Sequence, residues 1–442
     1  MTEGSIVPHL ASFAVPLMFG NLFQQLYNAV DTWVVGNYVS NEAFSAIGTI
    51  SPIIMVVIGF FIGISSGISV VVSQYFGAKE YGKVHETVHT SFLLTFLLGI
   101  VLAFAGNSLC TTFLNLMQMP AQSFQFAEEY LRIYFFGILF QMLYNTGAGI
   151  LRAVGDSKRP FYFLVVSAVL NVILDLIFVL KLGWGVAGVA YATVVSQFVA
   201  AALTMFALNR SKDCTRLTFS ALKFETSMLK RIVKTGFPTG LQLSITSLSN
   251  IFVQSYINYF GTDFMSGWAA YMRIQPLVFL PLEAIVLASS TFVGQNLGAN
   301  QIKRAKKGVT VAFVMALAST LLISIPCMVF APKIIAFFNG KREVIEYGAL
   351  ILRRLQSLYC LQCIMQVYLG ALRGTGNTRA PLIIMLSTLV GFRQLYLHLI
   401  VTYSNTMTAV VMSHPAGWIA CSIVTMIYYK RFKFASYRIT GS

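Results

Sequence analysis

The stretch GILRAVGDSKRP at residues 149–160 recurs as GALRGTGNTRAP at residues 370–381, and this pair decides the architecture. At an offset of 221 residues Gly149 lies on Gly370, Leu151 on Leu372, Arg152 on Arg373, Gly155 on Gly376 and Pro160 on Pro381. Upstream, the same offset lays SQYFGA at 73–78 on GQNLGA at 294–299, and Arg132 on Arg353. With one residue added, Pro16 falls on Pro238 and Asn28 on Asn250. Chance agreement among apolar sequences would match Leu and Val, whereas here Gln, Gly, Arg and Pro match, so the chain is a tandem duplication. The shared Arg-x-x-Gly-[Asp/Asn]-x-[Lys/Arg]-x-Pro pattern reads as a helix end, a left-handed glycine and a turn into the next helix.

Outward from these matches the chain is apolar nearly throughout. Of 442 residues, 57% are hydrophobic and 10% charged, with a mean hydropathy of +0.73, more than a soluble domain with a wetted surface carries. Runs of the roughly 20 apolar residues that a membrane span needs fall near 10–36, 44–73, 90–116, 124–151, 160–182, 186–208, 232–260, 266–293, 308–331, 345–372, 380–402 and 408–429. The expected fold is therefore an all-α integral membrane protein of twelve transmembrane helices in two six-helix repeats. Six is even, so both repeats begin on the same face and are parallel. The expected organisation is a lobe at 1–210, a linker at 211–231 and a second lobe at 232–442.

The net charge of +16 reads as topology, not as affinity for nucleic acid. Lys and Arg alternate between connections: 22 of 31 lie in every second one and in the tail that ends with Arg438, whereas the others hold only Lys181, Lys333, Lys341 and Arg342. The positive-inside rule makes the rich side, and both termini, cytoplasmic. No basic segment precedes the first apolar run, so no cleaved signal is expected. The six cysteines are scattered; Cys360 and Cys363 form a CxxC within a span, and no disulfide is expected.

Ionisable groups inside spans are functional candidates because charge at the bilayer centre costs about 2.5 kcal/mol or more. Asp31 in the first span and Asp175 in the fifth lie at similar depths. Asn171 precedes Asp175 by one helical turn, and Thr193 offers a hydroxyl at that depth from span six. Such an all-oxygen set suits Na⁺, and paired desolvated carboxylates suit H⁺ equally. At the repeat offsets Asp31 lies on Val253, Asn171 on Phe392 and Asp175 on Tyr396, so the cluster belongs to one half only. Gln24, Gln25, Tyr27 and Asn28 add polarity around Asp31, and Gln24, Tyr27 and Asn28 are candidates for a substrate cavity. Glu283 and Arg393 are buried charges expected to pair or to serve an interface.

FAVPLMFGNLFQQLYNAVDTWVVG from residue 13, SQYFGA, the LRAVGDSKRP and LRGTGNTRAP pair, and NVILDLIFVLKLGWGVAGVAYATVVSQ from residue 171 resemble the multidrug and toxic compound extrusion (MATE) family, most closely its bacterial DNA-damage-inducible-F-like branch. The likeness runs over nearly the whole chain. It implies a V-shaped two-lobe antiporter that exports small organic, cationic or amphiphilic compounds against Na⁺ or H⁺ by alternating access. It also implies a cell-membrane location, a monomer, and no cofactor beyond the coupling ion. The family's cation site matches Asp31, Asn171, Asp175 and Thr193 and adds Asn145 in helix four. The Glu that another branch carries in helix seven has no counterpart in PTGLQLSITSL at 238–248.

Three rival readings remain, one of them a passive channel. A lipid-linked oligosaccharide flippase of related architecture would favour a large cationic cavity over a compact acidic cluster. His85, Glu86 and His89 fit H-E-x-x-H, the pattern of a zinc protease, but no third ligand stands out and the repeat partner KKGVT at 306–310 has nothing similar. The match reads as chance, and no metal is expected.

Overall fold

In the hydrocarbon core, backbone groups have no water to bond, so each span must satisfy its own ladder as a helix. The computed structural model describes residues 1–403 and 406–437, with no strand among them; Arg438 lies outside the described residues. The first repeat comprises α1 (Ile6–Tyr38), α2 (Asn41–Gly77), α3 (Tyr81–Leu116), α4 (Ala121–Ala153), α5 (Lys158–Asp175) and α6 (Gly185–Asn209). The second comprises α7 (Thr226–Asn258), α8 (Thr262–Gly298), α9 (Ile302–Val329) with the short α10 (Ala331–Ala336), then α11 (Arg342–Gln356), α12 (Tyr359–Gly374), α13 (Arg379–Met385), α14 (Arg393–Tyr403), α15 (Met407–Val411) and α16 (Ser413–Arg431).

Among the described residues ten spans are long and apolar enough by themselves to cross a bilayer, counting α13–α14 and α15–α16 as one span each, and α11 with α12 makes an eleventh, bent by 48°. The twelfth is α7, which has 33 residues but is less apolar than the others because of its Thr, Ser, Gln and Asn content. Span 345–372, read from sequence as one run, is thus two helices meeting at Ser357 and Leu358. Two other spans widen locally into π-helix, at Leu176–Lys181 after α5 and at Leu386–Phe392 between α13 and α14; hydropathy is blind to such changes of hydrogen-bond pitch.

The duplication is visible in individual bonds. Gly155 and Gly376 both adopt left-handed φ, +100° and +84°, and each N–H closes on the carbonyl of Arg152 or Arg373, at 2.9 and 2.8 Å. One residue later, Asp156 accepts from the N–H groups of Lys158 and Arg159, and Asn377 accepts from Ala380, so each loop stops one helix and caps the next. Lys79 and Asn300 share φ near +60°. Arg132 donates to the Asn107 carbonyl and Arg353 to that of Met328, and those acceptors are themselves 221 positions apart.

The chain forms two compact units, one of Met1–Met18 with Phe237–Ser442 and one of Phe19–Gly236. The first turns of α1 therefore belong to the unit built mainly from the second repeat, and those of α7 to the unit built from the first. In the former unit Ile6, Leu10, Phe13 and Leu17 pack among Leu282, Ile285, Phe292 and Phe434, while Arg304 donates to the carbonyls of Met1 and Glu3. In the latter Arg231 donates to the Tyr75 hydroxyl at 2.8 Å, and Gly67 meets Gly236 so closely that a Cβ on either would strike backbone. Pro16 and Pro238 lie inside α1 and α7, each removing one ladder hydrogen bond.

Candidate functional site

The unit Phe19–Gly236 holds the acidic cluster. Asp175 is the last residue of α5 before the helix widens over Leu176–Lys181, and π-turns of this kind concentrate at functional positions. Its carboxyl is fully buried and Asn171, one turn below, is 1% exposed. From α1, the Asp31 carboxyl lies against Asp175 and Thr193. Close approach of α5 and α6 makes this possible: Gly188 leaves room for Phe178 of the π-turn, and Ser167 donates to the Ser196 carbonyl at 2.8 Å.

Both oxygens of Asp175, Oδ1 of Asp31 and both amide atoms of Asn171 make no hydrogen bond, and none of the ion pairs among the described residues includes either carboxylate. Two ionised carboxylates accept but cannot donate, so neither relieves the other. Thr193 spends its proton on the Val189 carbonyl at 3.1 Å, which leaves its oxygen free as a donor of lone pairs. Burying such groups unpartnered costs several kcal/mol. A shared proton or a hard cation held by these oxygens removes that cost.

The structure brings Asp31, Asn171, Asp175 and Thr193 together but leaves Asn145 apart in its bonding. The Asn145 amide donates to Gln141 one turn back, and its carbonyl accepts from Ser65. Of the polar residues on α1, Tyr27 is buried with its hydroxyl beside Gln24 and Gln197, Gln24 is half-buried, and Asn28 and Gln25 are exposed. Sequence reasoning missed the wall supplied by α4. Tyr130 and Tyr134 stack at 6.1 Å, Tyr134 donates to Gln141 at 2.9 Å, and Tyr130 lies within the field of both Asp31 and Asp175. Their spacing of four and seven residues, one face of a helix, was the available signal.

The expected pairing of Glu283 with Arg393 is corrected. Arg393 donates instead to Ser249 and Asn250 of α7, and no ion pair among the described residues contains Glu283. The histidines of the HETVH stretch serve the connection after α6. His89 bonds through Nε2 to the backbone of Thr218 and through Nδ1 to the His85 carbonyl, and Thr90 ties Lys223 and Glu225. No group of three metal-ligating side chains occurs among the described residues.

The MatE family model matches residues 16–177 and again 238–397, one copy on each repeat. The chain is 28% identical over 447 aligned residues to "Probable multidrug resistance protein YoeA" of Bacillus subtilis strain 168, covering 99% of this chain and 96% of that protein. It is 25% identical to "Probable multidrug resistance protein NorM" of Thermotoga maritima, covering 85% and 81%. The solved outward-facing multidrug resistance MATE family transporter of the MOP superfamily superposes with a TM-score of 0.93 at 23% identity, over 99% of this chain and 98% of that one. With both repeats matched in order, the chain belongs to the MatE family and is a multi-pass membrane transporter, not an enzyme.

Proposed function

We propose that this transporter is a cation-coupled antiporter that exports small organic, cationic or amphiphilic compounds by alternating access, with Na⁺ or H⁺ entering at Asp31 and Asp175. The observation that carries the reading is the meeting of these two carboxylates with Asn171 and Thr193, Asp175 and Asn171 buried and Asp31 and Thr193 partly buried, neither carboxylate paired to a protein cation. A membrane protein keeps such a cluster only if something mobile neutralises it. The family relatives named for multidrug resistance support the cargo class.

In this reading the positive-inside rule makes the basic connections with Arg152, Lys158 and Arg159, and both termini, cytoplasmic. Asp31 and Asp175 then lie near the outer end of their helices. A cation arriving from outside lowers the cost of burying both carboxylates, so it binds the cargo-releasing conformation better than the other, and this difference in affinity is what couples ion to cargo. Membrane potential adds about 2.3 kcal/mol per charge for every 100 mV. The lobes that move are those of residues 1–210 and 232–442, joined through 211–231, and the monomer suffices.

The test is efflux of a fluorescent organic cation from proteoliposomes under an imposed Na⁺ or pH gradient. Wild type should respond to one gradient, and Asp31→Asn and Asp175→Asn should lose that response while still inserting and folding. Gradient-driven efflux that survives both substitutions would overturn the reading.

A further inference from the structure

Arg393 opens α14 immediately after the π-helical segment Leu386–Phe392 and is only 4% exposed. Its Nη2 donates to Ser249 Oγ at 2.8 Å and to Asn250 Oδ1 at 3.0 Å. Gln394 steadies the first of these acceptors, donating to the Ser249 carbonyl and hydroxyl at 3.1 and 3.0 Å. Both partners of the guanidinium are neutral. They satisfy the direction of two N–H bonds but supply no counter-charge, and Nε is buried with no partner at all.

None of the ion pairs among the described residues includes Arg393. His414 of α16 is the titratable group that feels Arg393, and its ring rests on Trp268 at 5.3 Å and Trp418 at 6.2 Å. Leu389 of the π-helical segment and the Arg393 stem both come up against Gly417 of α16, and Leu389 belongs to the buried apolar core of this unit. A permanently charged guanidinium in apolar surroundings requires a compensating anion, and its planar fork of N–H donors is shaped for a carboxylate or another compact anion.

We propose that Arg393, backed by Ser249 and Asn250 and flanked by His414, is an anion-recognition subsite in the second repeat that takes a compact monovalent anionic group. Such a group comes either as a free halide or as the carboxylate of an amphiphilic cargo molecule. The assignment depends neither on the direction of transport nor on the coupling ion, because it is read in purified protein without gradients.

Trp268 and Trp418, which flank His414, report occupancy through intrinsic fluorescence. Purified protein in detergent is titrated with sodium chloride in one arm and sodium butyrate in the other, against sodium sulfate at matched ionic strength. A saturable change with either probe supports the subsite: chloride alone identifies a free counter-ion, and butyrate identifies a carboxylate. Arg393→Gln should abolish saturation. Arg393→Lys, which keeps the charge but loses the fork, should weaken it by about tenfold, and Ser249→Ala should weaken it as well, which keeps the test decisive should Arg393→Gln misfold. No saturable response in folded wild type, or an unchanged affinity in the Lys and Ala variants, would overturn the proposal.

Discussion

The two repeats share a scaffold but hold charges of opposite sign near repeat-related positions. At the depth where α1 and α5 bring together Asp31 and Asp175, the repeat-related positions of α7 and α14 are Val253 and Tyr396, and three residues before each of these stand Asn250 and Arg393, joined by a hydrogen bond. Features identical in both halves, such as the glycine stops, the Asp156 and Asn377 caps and the Arg132 and Arg353 clamps, hold helices in place. Features present in one half only are the chemistry. Duplication supplied the frame, and the polar interior was set separately in each copy.

The comparison breaks first at the carboxylates. Asp31→Val, which copies the second repeat into the first, should abolish gradient-driven efflux outright while leaving the melting temperature in detergent unchanged or raised, since it removes a carboxylate with one oxygen buried and unpartnered. Retained coupling would show that the acidic half is not special. The reverse graft, Val253→Asp, places a carboxylate in a packed apolar position and should cost about 1–3 kcal/mol of stability, measurable as reduced yield and melting temperature. No loss would mean that the second repeat already tolerates an acid there, and the asymmetry would be shallow.

The shared glycine stops should respond alike. Gly155→Ala and Gly376→Ala both force a side chain into a left-handed φ, and each should destabilise by about 1–2 kcal/mol; unequal losses would show that one loop has acquired a second role. Arg132→Ala and Arg353→Ala should each lower the melting temperature slightly, Arg132→Ala by more because it also loses the Glu128 pair, and the effects should add in the double variant because the two share no partner. The smallest effect is expected from a zinc chelator, which should leave efflux unchanged because the His89 ring is engaged with Thr218; a loss would revive the zinc-protease reading of the HETVH stretch.

Much of the frame was legible because it rests on local chemistry. A glycine after Arg152, an Asp or Asn next and a Pro beyond announce a helix stop and restart wherever they occur, and apolar runs of sufficient length announce spans. Asp31, Asn171, Asp175 and Thr193 were legible because charge and amides are rare in such runs. Arg393 was equally conspicuous, yet its partner was not: Ser249 and Asn250 lie more than 140 positions earlier, and a neutral pair of acceptors leaves no charge signature to match. Tyr130, Tyr134 and Gln141 were hidden because aromatic residues are common throughout this chain.

The sequence by itself determined that the protein is a duplicated twelve-helix membrane transporter, since lipid forces every backbone bond to close within its own segment and the polar residues that mark the repeats are too specific to coincide. Only the tertiary structure decided which groups meet. The π-turn beneath Asp175, the break between α11 and α12, the exchange of the first turns of α1 and α7 between units, and the neutral setting of Arg393 all depend on how helices press on one another across long separations, where sequence spacing carries no distance.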